Sequence, residues 1–170
     1  MPVIINGSTG ISGTDGSAAT PAVQGTDTNT GMYFPGNDRI GFAEGGVQVG
    51  EFDASGNFLF NSGFGSVARA FGCRAWVNFN GTGTVAIRAS GNVSSITDLA
   101  TGEYRVNFTS SMVDANYSSV VAASHWGGVT RLCSVNMDDY FTSHINILTI
   151  GQSSPWSHYD PGFVSVAIFR

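Results

Sequence analysis

The sequence predicts an all-β chain: a short, intertwined β segment followed by an antiparallel β-sandwich. Three observations predict it. From about residue 70 onward, apolar and polar residues alternate at period two. Turn residues break the chain every few positions, and glycine, at 23 of 170 residues, is roughly double the usual share of about 7%. No window carries a convincing 3.6-residue apolar stripe, so at most one helical turn is expected, near "SSMVDANY" at 110–117.

Residues 1–26 are a Gly/Ser/Thr/Ala string with little to bury and read as a flexible or extended lead-in. Residues 27–65 hold very short strands, "RIGF", "VQVGEF" and "NFLF", between strong turns. Phe34-Pro35-Gly36-Asn37 fits a type II turn, and Asp53-Ala54-Ser55-Gly56 a type I turn. Ala43-Glu44-Gly45-Gly46 is a hairpin signal. The same segment carries Met32, Tyr33, Phe34, Ile40 and Phe42, yet it is too short to fold around a core of its own. It packs either on the domain that follows or on identical copies wound about a shared axis. The low charge and absent lysines fit copies, because paired strand edges need no charged guards.

Residues 70–170 read as the sandwich. Cys73, Ala75, Val77 and Phe79 alternate with Arg74, Trp76 and Asn78; Val85, Ile87 and Ala89 form another face. Tyr104, Val106 and Phe108 follow, then the run 120–123, then Arg131, Cys133, Val135 and Met137. Ile145 and Ile147, and Val164, Val166 and Ile168, mark the last two strands. "NGTG", "ASGN" and "ATGE" supply the early turns. Cys73 and Cys133 are expected as buried free thiols, with one inter-strand disulfide as the alternative.

Composition narrows function. Hydrophobic residues make up 42%, enough for a real core, while charged residues are 11%, less than half the usual share of about 25%. A net charge of −5 argues against a nucleic-acid groove, which needs a basic face. No stretch approaches the apolar length of a membrane-spanning helix, and "MPVIINGSTGISG" lacks the pattern of a signal peptide. The sequons at Asn6, Asn80, Asn92, Asn107 and Asn116 are read as chance in a chain rich in Asn, Ser and Thr.

"GTDTNTGMYFPGNDRIGFAEGGVQVGEFDASGNFLF" resembles the shaft repeat near the ends of bacteriophage tail fibre and tailspike proteins. The likeness rests on D-x-N-T-G-x-Y-x-P-G, the "IGF" strand, the A-x-G-G turn and the D-x-S-G-N turn. "RAWVNFNGTGTVAIRASGNVSSITDLATGEYRVNFTSSM" and the closing "VSVAIFR" resemble the C-terminal head domains of the same proteins. Together these stretches cover about residues 25–110 and the last seven. The resemblance implies a homotrimeric fibre end on a virion, assembled in the host cytoplasm beside other fibre or tail proteins. It also implies attachment to a host surface glycan or protein, without catalysis. Two other readings are a structural appendage whose head only drives trimerisation, and a polysaccharide-degrading spike.

The candidate receptor contacts are aromatic loops. "SHWGGVTR" places His125, Trp126 and Arg131 beside a Gly-Gly pair, and "SSPWSHYDPG" places Trp156, His158, Tyr159 and Asp160 between prolines. Sugar rings stack on Trp and Tyr, while Asp, His and Arg fix hydroxyls. Tyr140, beside Asp139, belongs to the same class. The bland alternative is that the tryptophans plug the sandwich ends or an interface. Tyr33, Phe34, Ile40, Phe42 and Trp76 are the candidate trimer contacts. Trp76 lies on the polar side of its strand, where an isolated exposed tryptophan calls for a cover. Arg88 and Arg105 are expected on outward faces, free to pair with acids of another chain.

No catalytic residue, cofactor or metal ligand set emerges. His125, His144 and His158 form no close ligand pair. Asp138 and Asp139 point to opposite faces of a strand, so a carboxylate pair would need Asp160 or Glu103. No G-x-S-x-G elbow is present, and a chain without lysine has no phosphate-binding P-loop.

Overall fold

The structure is a computed structural model that describes residues 4–7, 10–63, 65–124, 131–151 and 157–170. Every regular element among them is a β-strand, and every ladder is antiparallel, so the chain is all-β. The helical turn expected at 110–117 does not form. That segment is a series of bends in which Asp114 Oδ1 accepts from Asn116 N at 2.8 Å. Met112 and Tyr117 anchor it by entering the core. The chain divides into two compact units, Met1–Ala70 and Phe71–Arg170.

The first unit opens with a hairpin of β1 (Ile4–Asn6) and β2 (Gly10–Ser12). Six further strands follow as a meander in which each pairs with the next. They are β3 (Val23–Gln24), β4 (Gly31–Tyr33), β5 (Ile40–Glu44), β6 (Val47–Phe52), β7 (Phe58–Phe60) and β8 (Ala68–Arg69). The sheet thus begins inside the stretch read as a lead-in.

Local hydrogen bonding explains its turns. Asp27 accepts from Asn29 N and from the Thr30 hydroxyl at 3.3 and 2.8 Å. Thr30 Oγ1 in turn accepts from Gly45 N at 3.2 Å, tying this turn to the β5–β6 hairpin. Gly45 and Gly46 have φ of 60° and 78°, the left-handed pair of a type I′ turn that matches strand twist. Gly56 N donates to Asp53 O at 2.8 Å, closing the expected turn, and Asp53 Oδ1 accepts from Ser55 N and Asn57 N. The type II turn expected at 34–37 is absent. The left-handed residue is Asp38, with φ 59°, rather than Gly36. Phe34 N is instead fixed by Asp15 O at 2.9 Å, a partner far away in sequence.

Period-two alternation gives this sheet two unlike faces. One face is apolar. Register aligns Ile40, Phe52 and Phe58 in one row and Phe42, Gly50 and Phe60 in the next. The opposite face carries Tyr33, Ala43 and Glu51, all buried. Tyr33 lies across Gly41, where any Cβ would sit 2.6 Å from its Cζ. Glu51, 1% exposed, accepts from Arg39 Nε at 2.5 Å and Gln48 Nε2 at 2.6 Å.

The second unit contains β9 (Cys73–Asn80), β10 (Ala86–Gly91), β11 (Val93–Ala100), β12 (Glu103–Phe108) and β13 (Ser118–Ala123). It continues with β14 (Arg131–Tyr140), β15 (His144–Gly151), β16 (Ser157–His158) and β17 (Val164–Phe169). One sheet runs β10-β9-β17-β13; the other runs β11-β12-β15-β14, with β16 added beside β15. Their inward side chains share one core. Ala75, Val77, Phe79, Val164, Val166 and Ile168 come from the first sheet, and Tyr104, Val106, Phe108, Ile145 and Ile147 from the second. Phe79 and Tyr104 meet edge to face at 5.1 Å.

"ASGN" is not the turn expected. β10 runs through Gly91, and the chain changes sheets at Asn92, which has φ 55°. The Asn92 side chain donates to Arg74 O and Ser110 O at 3.0 and 3.1 Å and accepts from Ser110 N at 2.8 Å. A bulge between Ile87 and Ala89 also interrupts the alternation expected along β10. Cys73 is exposed rather than buried, because the β17 register shifts between Ile168 and Phe169 opposite the start of β9. Cys133 lies in β14, where its side chain falls outside the described residues.

Candidate functional site

Two features have functional potential: the loop end of the second unit and the bare apolar face of the first.

Strand direction defines the loop end. Val164 pairs with Phe79 and Ala123, so the end of β9, the start of β17 and the end of β13 coincide. Ala86 pairs with Asn80, Glu103 with Leu148, Arg131 with Gly151, and His158 with Ile150. The β9–β10 connection, the β11–β12 turn and the β16–β17 connection therefore share one end. The strand ends flanking 124–130 and 152–156 lie there too.

Asp160 knots these connections together. Its Oδ1 accepts from the Tyr104 hydroxyl at 2.8 Å and from Gly102 N at 2.7 Å. The Asp160 carbonyl accepts from Thr82 Oγ1 at 3.0 Å, and the Pro161 carbonyl from Gly81 N at 2.9 Å. Burial, reinforced by the Asp160 carboxylate, pushes the Tyr104 hydroxyl well above its ordinary pKa, so it stays a proton donor. Buried Thr149 donates its hydroxyl to Tyr159 O at 2.6 Å. Arg88 donates to Gly162 O at 2.6 Å and stacks over Phe163, 3.9 Å from its centroid. A short connection held at this many points is a rigid platform.

The predicted receptor residues separate on this frame. His158 and Tyr159 stand with Asp160 at the loop end. His158 Nδ1 is 3.3 Å from Glu103 Oε1, and the Tyr159 hydroxyl donates to Ser124 O at 3.3 Å. Tyr140 is not with them: it ends β14 at the opposite end, where its hydroxyl bonds Ser119 Oγ at 2.9 Å and its ring packs on Tyr117 at 5.1 Å. Arg131 opens β14, with its side chain outside the described residues. His125, Trp126 and Trp156 lie outside the described residues altogether. Asp160, itself exposed, is held as a structural acceptor through Oδ1. The sequence could not show this, because Tyr104 lies 56 positions away.

His144 stacks on Phe141 at 4.4 Å and bonds Ser143 Oγ at 3.0 Å. Burial, with Arg105 nearby, lowers its pKa, which favours the neutral ring. No cluster of three His, Cys, Asp or Glu side chains suited to a metal occurs among the described residues. Arg88 and Arg105 have partners within their own chain, the latter through Nε to Asn146 Oδ1 at 3.1 Å.

The bare face of the first unit is an aromatic ladder. Ring centroids lie 6.3 Å apart for Phe42 and Phe52, 5.3 Å for Phe52 and Phe58, and 6.1 Å for Phe58 and Phe60. Phe52 and Phe58 remain 44% and 43% exposed, and Phe34, Ile40 and Phe60 are exposed as well. Of the predicted trimer contacts, Phe34, Ile40 and Phe42 lie on or beside this face. Tyr33 is on the opposite face and only 5% exposed, so its own chain already covers it. A cleft of about 660 Å³ borders the ladder, lined by Phe34, Ile40 and Phe52 with Asp15, Asp38 and Asp53. Comparison with protein-family models, curated proteins and solved structures finds no match.

Proposed function

We propose that the chain is the tip of a bacteriophage fibre that acts as a parallel homotrimer and attaches the virion to a host surface receptor, a glycan or a protein, without catalysis. In this reading the first unit is a shaft segment and the second is a β-sandwich head whose loop end meets the receptor. One observation carries it. The first unit buries the sheet face that holds Glu51 and leaves the face that holds Phe52 and Phe58 bare. A monomer does the reverse with an amphipathic sheet. A contiguous apolar face of this kind marks an association surface, and copies of the same chain supply a matching one. Covering each half-exposed phenylalanine is worth on the order of 1 kcal/mol.

The resemblance of "GTDTNTGMYFPGNDRIGFAEGG" and its continuation to phage fibre shafts supplies the viral context. The structure gives that motif a local rationale: Asp27 and Thr30 lock one turn to the next hairpin. The loop end supplies a rigid platform of the sort on which recognition loops are usually mounted.

The test is deletion of 71–170 from the fibre on the intact particle. Loss of adsorption with normal particle assembly is the expected result. Unchanged adsorption would contradict attachment and favour a structural appendage. Reducing ends released from host envelope polysaccharide by the intact chain would contradict the absence of catalysis.

A further inference from the structure

We propose that the outward face of the β10-β9-β17-β13 sheet is a second self-association surface, where Trp76 is covered by a second copy of this chain. This rests on the homotrimer reading and extends it to the second unit.

Register places Gly91, Trp76, Ala167 and Val120 side by side across the four strands. Trp76 is 44% exposed and Val120 58% exposed, and Phe169 stands one row away. The indole lies against Gly91, where any Cβ would sit 2.4 Å from Trp76 Nε1. Ala167, Ala122 and Ser165 are small, so the face around the indole is flat. Along the outward positions of β9, β13 and β17, Arg74 is the one charged residue. A sheet face meant for water carries more charge than this.

The other sheet of the same unit shows what a solvated face looks like here. Several of its outward polar side chains pair with one another. Arg105 donates to Asn146, and Asn107 Nδ2 donates to Thr97 Oγ1 at 3.0 Å and Ser95 Oγ at 3.1 Å. His158 faces Glu103. The first sheet carries one such polar pair, Asn78 Nδ2 to Ser165 Oγ at 2.9 Å, and beside it the row of Gly91, Trp76, Ala167 and Val120 forms a flat apolar strip.

A second copy is the favoured occupant because of the short junction. β8 ends at Arg69 and β9 begins at Cys73, so residues 70–72 alone link the units. Copies joined through their first units hold their second units at a high effective concentration, of millimolar order for short linkers. At that concentration a small flat contact suffices, and a free ligand would have to displace it.

The test uses the full chain with Trp126→Phe and Trp156→Phe, which leaves Trp76 as the sole tryptophan of the original three. Fluorescence emission, acrylamide quenching and solution mass are read on one sample. The expected result is a trimer in which Trp76 emits to the blue and is quenched several-fold less than after dissociation. A trimer with freely quenched Trp76 overturns this inference alone. A monomer overturns the trimer reading and this inference with it. Protection that appears only on adding host envelope polysaccharide overturns the self-contact and assigns Trp76 to a sugar platform. Val120→Arg in the otherwise native chain is the second arm. An exposed valine on a free face tolerates arginine, so unchanged melting of the assembly overturns the proposal, and a clear fall supports it.

Discussion

The Tyr104 hydroxyl, at the inner end of β12, donates a 2.8 Å hydrogen bond to Asp160 Oδ1 in the connection between β16 and β17. It also lies 3.2 Å from the Gly81 carbonyl. One buried hydroxyl on β12 thus joins two connections at the loop end, β9–β10 and β16–β17.

Asp160→Ala removes the acceptor for Tyr104 and for Gly102 N. A buried donor left without its partner costs about 1–3 kcal/mol. For a unit of about 100 residues that lowers Tm by roughly 4–8 °C per kcal/mol. Tyr104→Phe, which removes donor and hydroxyl together, costs less. Thermal unfolding of the pair and of the double variant gives the coupling. Equal and additive losses would contradict a shared bond.

Asn92 yields an unusual ranking. It sits at φ 55° and makes three side-chain hydrogen bonds at the crossing between sheets. Asn92→Gly loses the bonds but keeps the conformation. Asn92→Ala loses the bonds and adds a left-handed strain of about 1–2 kcal/mol. Alanine is therefore the more destabilising replacement, as measured by urea midpoint, and the opposite order would contradict the corner assigned to Asn92.

Glu51 predicts a pH dependence for the first unit. The hydrogen bond from Arg39, helped by that from Gln48, outweighs burial and holds its carboxyl below the ordinary value of 4.5. The folded state therefore binds this proton less readily than the unfolded chain does. The stabilisation is fully present above the ordinary carboxylate pKa and is lost as pH falls through the depressed folded value. Denaturant midpoints measured from neutral pH downward should show this acid loss. Glu51→Gln should flatten it, leaving the contribution of Asp53, whose carboxyl is likewise lowered, chiefly by Asn57. Equal acid slopes in the two proteins would rule out this role for Glu51.

These residues also show which parts of the fold could be read from sequence. Gly45-Gly46 and Asp53–Gly56 were legible because their turn chemistry is local. The bend after Phe34 was not, because Asp15 fixes it from a distant segment. The Asn92 corner depends on Arg74 and Ser110, and the exposure of Cys73 on a shifted register with β17; neither partner lies nearby in sequence. The alternation that predicted the core residues of β9, β12 and β17 held, since period two needs only the strand itself. Among the site residues, the sequence grouped His158, Tyr159 and Asp160, which the structure places together at the loop end. The structural engagement of Asp160, and the placing of Tyr140 at the other end, required the three-dimensional pairing.

The central claim is that the Phe52–Phe58 face of the first unit is covered by copies of the same chain. Light scattering on a sizing column tests it most directly. The account predicts three times 17.8 kDa, about 53 kDa, for the native chain. It also predicts a collapse towards 17.8 kDa for the Phe52→Asp/Phe58→Asp variant, with the fold of the second unit retained. A native chain that elutes and scatters as a stable 17.8 kDa monomer would contradict the account.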